Sequence, residues 1–271
     1  MMRPAFARTL RRGRPVLCGL VLVLALSLAA PVLAQGADPI AADRPGIADS
    51  SATIGRGRIQ FEIGTQWESR PDEITTFVPA LVRIGLWDRF EARIEGNTFS
   101  VDDANGDYRS GLSPTSAGFK WAARPAEGGQ PGVGVIARVF PRWGLGGFEA
   151  GRATADARLA VDWDFAEGFT LNPNAGIGWY DDDGQGFAAG LFAVTLAYQQ
   201  GAVGWFADAA VQTPEADGGT TAVIVDGGLA WVPRPNFQFD ISAGSRLHGV
   251  TSPRLFIAIG IAYRVRGWGR E

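Results

Sequence analysis

The two-residue alternation that begins at Gly57 constrains this chain more than any other feature. In Arg58-Ile59-Gln60-Phe61-Glu62-Ile63-Gly64-Thr65-Gln66-Trp67 the odd positions are apolar or Thr, while the even ones are charged, polar or Gly. A strand places such sets on opposite faces, whereas a helix would scatter both around its axis. The pattern returns in Arg89 to Glu95 and again from Arg152 to Phe165, where Ala153, Ala155, Ala157, Leu159, Val161 and Trp163 oppose Thr154, Asp156, Arg158 and Asp162.

Cutting at turn signals gives twelve strand candidates: 57–68, 76–86, 88–98, 115–123, 132–141, 152–165, 168–180, 186–198, 202–212, 220–232, 236–247 and 254–266. Most exceed the roughly five residues of ordinary strands and cover the about 9 to 11 that a tilted strand needs to cross hydrocarbon. The connections at Trp87, Ala166-Glu167, Gln199–Gly201 and Pro233–Pro235 are short, and those at 99–114 and 142–151 are long. Short periplasmic turns opposite longer outer loops are the habit of outer-membrane barrels, although 124–131 is long where a short turn is expected. A soluble barrel alternates in the same way with its apolar face inside, so periodicity alone does not choose between the two. Strand length, even count and aromatic placement favour the membrane, where every backbone group must be paired and the sheet must therefore close.

Aromatic residues prefer the membrane interface. Trp87, Phe90, Trp121, Trp163, Phe165, Phe169, Tyr198, Trp205, Trp231, Phe237 and Tyr263 fall at periplasmic ends, and Trp67, Phe140, Trp143, Trp179, Tyr180 and Phe187 at outer ends. The expectation is a girdle at each interface.

Residues 1–34 carry five arginines, no acid and an apolar run from Pro15 to Ala34. This reads as a secretory signal peptide with its small-residue site at Val32-Leu33-Ala34. Its removal leaves 20 basic against 28 acidic residues, a net charge that argues against nucleic acid as a partner. The single cysteine, Cys18, leaves with it, so neither a disulfide framework nor a thiolate metal site is expected. Residues 35–56 show no period and read as an N-terminal periplasmic tail or plug, 57–266 as the transmembrane β-barrel, and 267–271 as a C-terminal tail. Asp43 and Arg44 could fold into the lumen, or could help the tail seal the periplasmic mouth.

With apolar positions facing lipid, the lumen receives Glu62, Arg83, Glu91, Arg93, Glu95, Lys120, Arg138, Asp156, Arg158, Asp162, Asp208, Asp226, Asp240 and Arg246, with Arg58 and Arg264 near its ends. Equal numbers of each sign suggest ion pairs rather than a single-sign filter, with Asp156–Arg158 and Glu91, Arg93 and Glu95 as nodes. Twelve tilted strands give a backbone circle roughly 24 Å across, about half of it filled by side chains. These charges either line a solute path or fix strand register. Ile63→Arg is expected to impair assembly and Glu62→Gln to be mild.

Catalytic signals are thin. Ser245 and the lone His248 could suggest an outer-membrane phospholipase, but an offset of three puts them on opposite faces of a strand. The acidic stretches Asp103-Ala104-Asn105-Gly106-Asp107 and Asp181-Asp182-Asp183-Gly184 read as solvated outer turns, and Gly144-Leu145-Gly146-Gly147 precedes no helix that could cradle a phosphate. No catalytic residue, metal or cofactor is expected.

The chain also resembles the outer-membrane transporter family named for the MetA-pathway of phenol degradation. The resemblance rests on Ala42-Asp43-Arg44-Pro45-Gly46, Gly55 to Gly64, Pro79 to Arg93, Ala117-Gly118-Phe119-Lys120-Trp121, Asn236 to Gly244 and Gly260-Ile261-Ala262-Tyr263-Arg264. It implies a barrel in the cell outer membrane and transport of small, aromatic or apolar compounds. The terminal Arg264 to Glu271 departs from a typical barrel ending by lacking a final Phe. The expected partners are membrane lipids, the outer-membrane assembly machinery and a small-molecule solute. The alternatives are a closed structural or adhesion barrel, or the phospholipase.

Overall fold

The computed structural model describes residues 39–182 and 184–268; the expected signal peptide lies outside the described residues. The described chain is built of thirteen strands: β1 (Arg58–Ser69), β2 (Ile74–Trp87), β3 (Phe90–Ala104), β4 (Asp107–Leu112), β5 (Thr115–Arg124), β6 (Gly132–Phe140), β7 (Thr154–Ala166), β8 (Phe169–Asp182), β9 (Gln185–Gln200), β10 (Val203–Thr213), β11 (Ala222–Arg234), β12 (Phe237–His248) and β13 (Leu255–Arg266). Twelve of them form a closed antiparallel barrel. β1 and β13 seal the ring from Arg58↔Arg266 to Ser69↔Leu255 without a break in register. No helix among the described residues is long and apolar enough to cross a membrane, and here the crossing falls to strands.

The twelve barrel strands fall where alternation places them, and β4 is the addition. It pairs with the outer half of β3, from Ala104↔Asp107 to Phe99↔Leu112, and its last residue also bridges Leu145, so 99–114 is a hairpin rather than an open loop. Its tip is Asn105-Gly106, with φ of 56° and 92°. Both central residues of a type I′ turn need positive φ, which is why Asn-Gly favours it. Asp103 accepts a hydrogen bond from the Gly106 amide at 2.8 Å, so this carboxylate serves the turn.

The polarity of a water-soluble protein is reversed. On β1, Ile63 is 46% exposed and its neighbour Glu62 is 1% exposed. The same holds around the ring: Phe61, Ile94, Leu159, Ile177, Phe192, Ile241 and Ile259 face outward, while Gln60, Arg83, Arg93, Lys120 and Gln238 are buried inside. A continuous apolar belt of this extent is stable only against lipid, and a closed strand ring with such a belt is the outer-membrane solution. The chain is an outer-membrane β-barrel.

At the end bearing the short turns, rings form near-continuous chains. Trp163 meets Phe165 at 5.8 Å, Phe169 meets Tyr198 at 4.5 Å, and Tyr198 meets Trp205 at 5.7 Å between centroids. Phe237 lies 4.6 Å from Phe239 and 6.3 Å from Tyr263. At the other end the expectation needs correction. Trp67 and Trp179 point outward, but Phe140, Tyr180 and Phe187 sit at inward positions of β6, β8 and β9, with Phe187 buried. Strand parity decides the face, and position along the strand axis decides only the depth. With Phe77 on β2 and Phe256 on β13, both buried, five rings face into the outer half of the bore.

Candidate functional site

The bore is not empty. The segment 39–56 enters beside the β11–β12 turn, where Ile40 donates its amide to the Pro235 carbonyl at 2.6 Å and packs on Val232, Ala262 and Ala42. It then crosses the lumen, returns, and leaves along β1. The strand walls supply what its extended backbone lacks. The Ala41 carbonyl accepts from Gln60 and Arg83, each at 3.0 Å, and the Arg44 amide donates to Glu62 at 3.0 Å. Asn174 pairs with both the amide and the carbonyl of Asp49, at 2.9 and 3.0 Å. Ser51 donates its amide and hydroxyl to Asp162 at 2.8 and 2.7 Å, and the Ile54 amide donates to Glu91 at 2.9 Å. Buried backbone groups need such partners, so the inward polar residues are the plug's ladder.

Asp43 is the centre of this arrangement. Lys120 Nζ donates to its two carboxylate oxygens at 3.0 and 2.8 Å, Arg93 donates to one of them, and Arg83 stands 3.7 Å away. Burial pushes this carboxyl up, but the Arg83, Lys120 and Arg93 cations outweigh burial and hold it well below the usual carboxylate range. Arg83 also forks onto Glu91 at 2.8 and 3.1 Å, and Arg93 reaches Glu95 at 2.7 Å and Asp49 at 3.3 Å. Arg138 bridges Glu95 and Asp156, the latter at 2.8 Å, and Arg158 contacts Asp49 at 3.4 Å and Asp156 at 3.6 Å.

Of the inward charges read from the sequence, the structure brings Glu62, Arg83, Glu91, Arg93, Glu95, Lys120, Arg138, Asp156 and Arg158 into one network with Asp43 and Asp49. Asp162 stands apart and holds Ser51 and Asn172. Asp208 accepts from the Ile47 amide at 2.6 Å, and Asp240 meets the Arg44 guanidinium at 3.4 Å. Asp226 faces Asp208 across the β10–β11 ladder. Arg246 stands at the outer rim, where it donates to the Val250 and Ser252 carbonyls of the loop 249–254. Near the periplasmic end, Arg58 donates to the Ile54 carbonyl at 3.2 Å and Arg264 to the Pro235 carbonyl at 3.5 Å. Ser245 donates its hydroxyl to the Arg254 carbonyl at 2.7 Å, and His248 is exposed at the end of β12.

Sequence reading did not single out Gln60, Asn174, Asp49 or Ser51 as partners, nor the wall glycines that admit the plug. Gly64 and Gly260 face each other across the β1–β13 seam with the Arg44 guanidinium lying on them. A Cβ at Gly260 would stand 2.6 Å from that guanidinium, so glycine is required by close approach. A polar residue or Gly at an inward position of a strand was the available signal.

The plug divides the lumen. A cavity of about 500 Å³ on the outer side is lined by Leu81, Arg93, Glu95, Arg138, Phe140 and Arg158, and one of about 390 Å³ on the periplasmic side by Thr170, Asn172, Thr195, Phe206, Ala230 and Gln238. Asp43, Arg44 and Gly46 border both.

Among solved structures, the fold is similar to an outer membrane channel from Pseudomonas putida F1, with 12% identity, a TM-score of 0.61, and coverage of 82% of this chain and 99% of that one. It is similar also to the NanC porin, with 10% identity, a TM-score of 0.52, and coverage of 76% and 100%. No curated protein sequence matches the chain. The family model described as "Putative MetA-pathway of phenol degradation" matches residues 42–265, almost the whole of the barrel and the plug that fills it, and the chain belongs to that family.

Proposed function

We propose that this barrel is a gated passage for small, apolar or aromatic molecules across the outer membrane, with the segment 39–56 as its gate. The carrying observation is that Asp43, Arg44 and Gly46 separate an outer chamber from a periplasmic one. Each chamber is large enough for a small organic solute, and moving one short segment joins them. Five inward rings at the outer half (Phe77, Phe140, Tyr180, Phe187 and Phe256) offer apolar surface to a cargo that the polar plug then stops. Family membership and likeness to channels and porins support the same reading. The reading is of a passive route without chemistry: Ser245 is committed to a backbone carbonyl, and purified protein is expected to leave phospholipids intact.

Planar-bilayer recording tests the gate. The full chain should give rare, small openings, and the double variant Asp43→Ser/Asp49→Ser, which frees the middle of the plug, should give frequent and wider ones. Silence from the full chain and the double variant alike, both correctly folded, would replace the gate with a closed structural barrel. Phospholipid turnover lost on changing His248 would restore the enzyme.

A further inference from the structure

One row of the β9–β12 wall is chemically incomplete. Thr195, Asp208, Asp226 and Gly244 are successive register partners across β9, β10, β11 and β12, with Asn172 of β8 beyond Thr195. No arginine or lysine stands in this row. Thr195, Asp208 and Asp226 are each more than nine-tenths buried. The plug satisfies only Asp208 Oδ2, through the Ile47 amide at 2.6 Å. Beyond the hydrogen bonds these side chains can share with one another, Thr195 to Asp208 and Asp208 with Asp226, no backbone amide, amide side chain or cation reaches Asp208 Oδ1, either oxygen of Asp226 or Thr195 Oγ1.

Buried polar atoms are almost always paired, and two carboxylates abreast repel when both are charged. Thr195 has a single hydroxyl proton to give, so two carboxylates with no other donor call for something positive between them. The four ligand atoms are all oxygen, three of them on carboxylates, which suits a hard divalent cation and disfavours metals that prefer nitrogen or sulfur. Thr195 also lines the periplasmic chamber, so water stands one side chain away from the two carboxylates.

We infer that Thr195, Asp208 and Asp226 form a calcium site on the β9–β11 wall, directly behind the Ile47 segment of the plug. Asp208 bridges the two: one oxygen holds the Ile47 amide and the other faces the ion. The ion neutralises a row that carries no cation of its own, and it holds Asp208 where the plug can reach it.

The test is calorimetric titration of calcium chloride into the full chain, extracted in detergent and washed free of divalent ions with EDTA. Binding is expected in the roughly 10⁻⁴ to 10⁻³ M range of sites outside the cytoplasm. Asp226→Asn should weaken it by at least the roughly 10- to 100-fold that even outer-shell losses cause. Thr195→Val, nearly isosteric, is the second variant and should also weaken it. Asp240→Asn, on the same wall but beside Arg44, should leave it unchanged. Heat-modifiable mobility in gels reports that each barrel has folded. Absence of binding to the wild-type chain would mean that Asp208 and Asp226 share a proton only, and would overturn the site. Binding that survives both Asp226→Asn and Thr195→Val would place the ion elsewhere and overturn it equally.

Discussion

The two halves of the bore wall solve the problem of buried charge in opposite ways. From β2 to β7 both signs are interleaved, and with Asp43 and Asp49 they saturate one another in a continuous network. From β10 to β12 the inward charges at membrane depth are Asp208, Asp226 and Asp240, and the sole guanidinium meeting them is Arg44 of the plug, at 3.4 Å from Asp240. The charges of this network all meet opposite charges as folded, with Arg93 Nε left over, and the first wall works as a fixed anchor. The second leaves carboxylate oxygens without donors and depends on what is brought to it. A wall that needs a visitor is the better place for a movable part.

The largest difference should appear on removing one cation from the saturated wall. Arg93→Ala strips partners from Asp43, Asp49, Glu91 and Glu95 at once, and uncompensated buried charge typically costs about 3 to 5 kcal/mol. The midpoint of urea unfolding in detergent measures it, and an unchanged midpoint would break the contrast. The lipid face supplies a reference outside both walls: Ile63→Arg should cost about 2 to 4 kcal/mol if it lies near the bilayer midplane, read by the same unfolding series. If Ile63→Arg were harmless, inside and outside would have to be exchanged.

Glu62→Gln ranks next. Alternation alone suggests a mild effect, but Glu62 accepts from Gln60 at 2.8 Å and from the Arg44 amide at 3.0 Å, so a loss of about 1 to 3 kcal/mol is expected. Asp240→Asn on the acid wall should fall within about 1 kcal/mol of the wild type or be more stable, because one of its oxygens already lacks a partner. Equal losses at Glu62 and Asp240 would erase the distinction between the walls.

The smallest effect concerns the outer rim. Glu215 accepts from the Val250 amide at 2.8 and 2.9 Å and from the Thr251 amide and hydroxyl at 3.1 and 3.0 Å. Burial pushes its carboxyl up, but these donors outweigh burial and hold it below its ordinary value. A lowered folded-state value means that the contribution to stability is full above the unfolded value of about 4.3 and fades as pH falls through the folded one. Hydrogen exchange at Val250 and Thr251 should therefore be slow at neutral pH and speed up, relative to the intrinsic rate, below about pH 4. Glu215→Gln should abolish that dependence.

Much of this was legible in the sequence because a strand's faces are set by counting. Ile63 and Glu62 declare lipid and lumen by parity alone, and the same count around the ring separates the belt from the inward charges. What parity could not give was partnership across the bore. That Arg93 meets Asp43, fifty residues away, depends on where an aperiodic segment lies, and nothing local in 39–56 encodes its path. Two features that depth alone misplaces are legible locally. Phe140, Tyr180 and Phe187 lie at the depth of the outer interface but parity turns them inward, and Asn105-Gly106 carries a hairpin signal inside an acidic stretch.

The plug's seat has a consequence for the order of events during assembly. Its partners lie on β1, β2, β3, β5, β7, β8, β10 and β12, from Glu62 to Asp240, so the full set of contacts exists only once the last hairpins have joined the ring. The stretch that leaves the ribosome ahead of every strand is thus among the final pieces to settle. Its docking certifies that the cylinder has been completed.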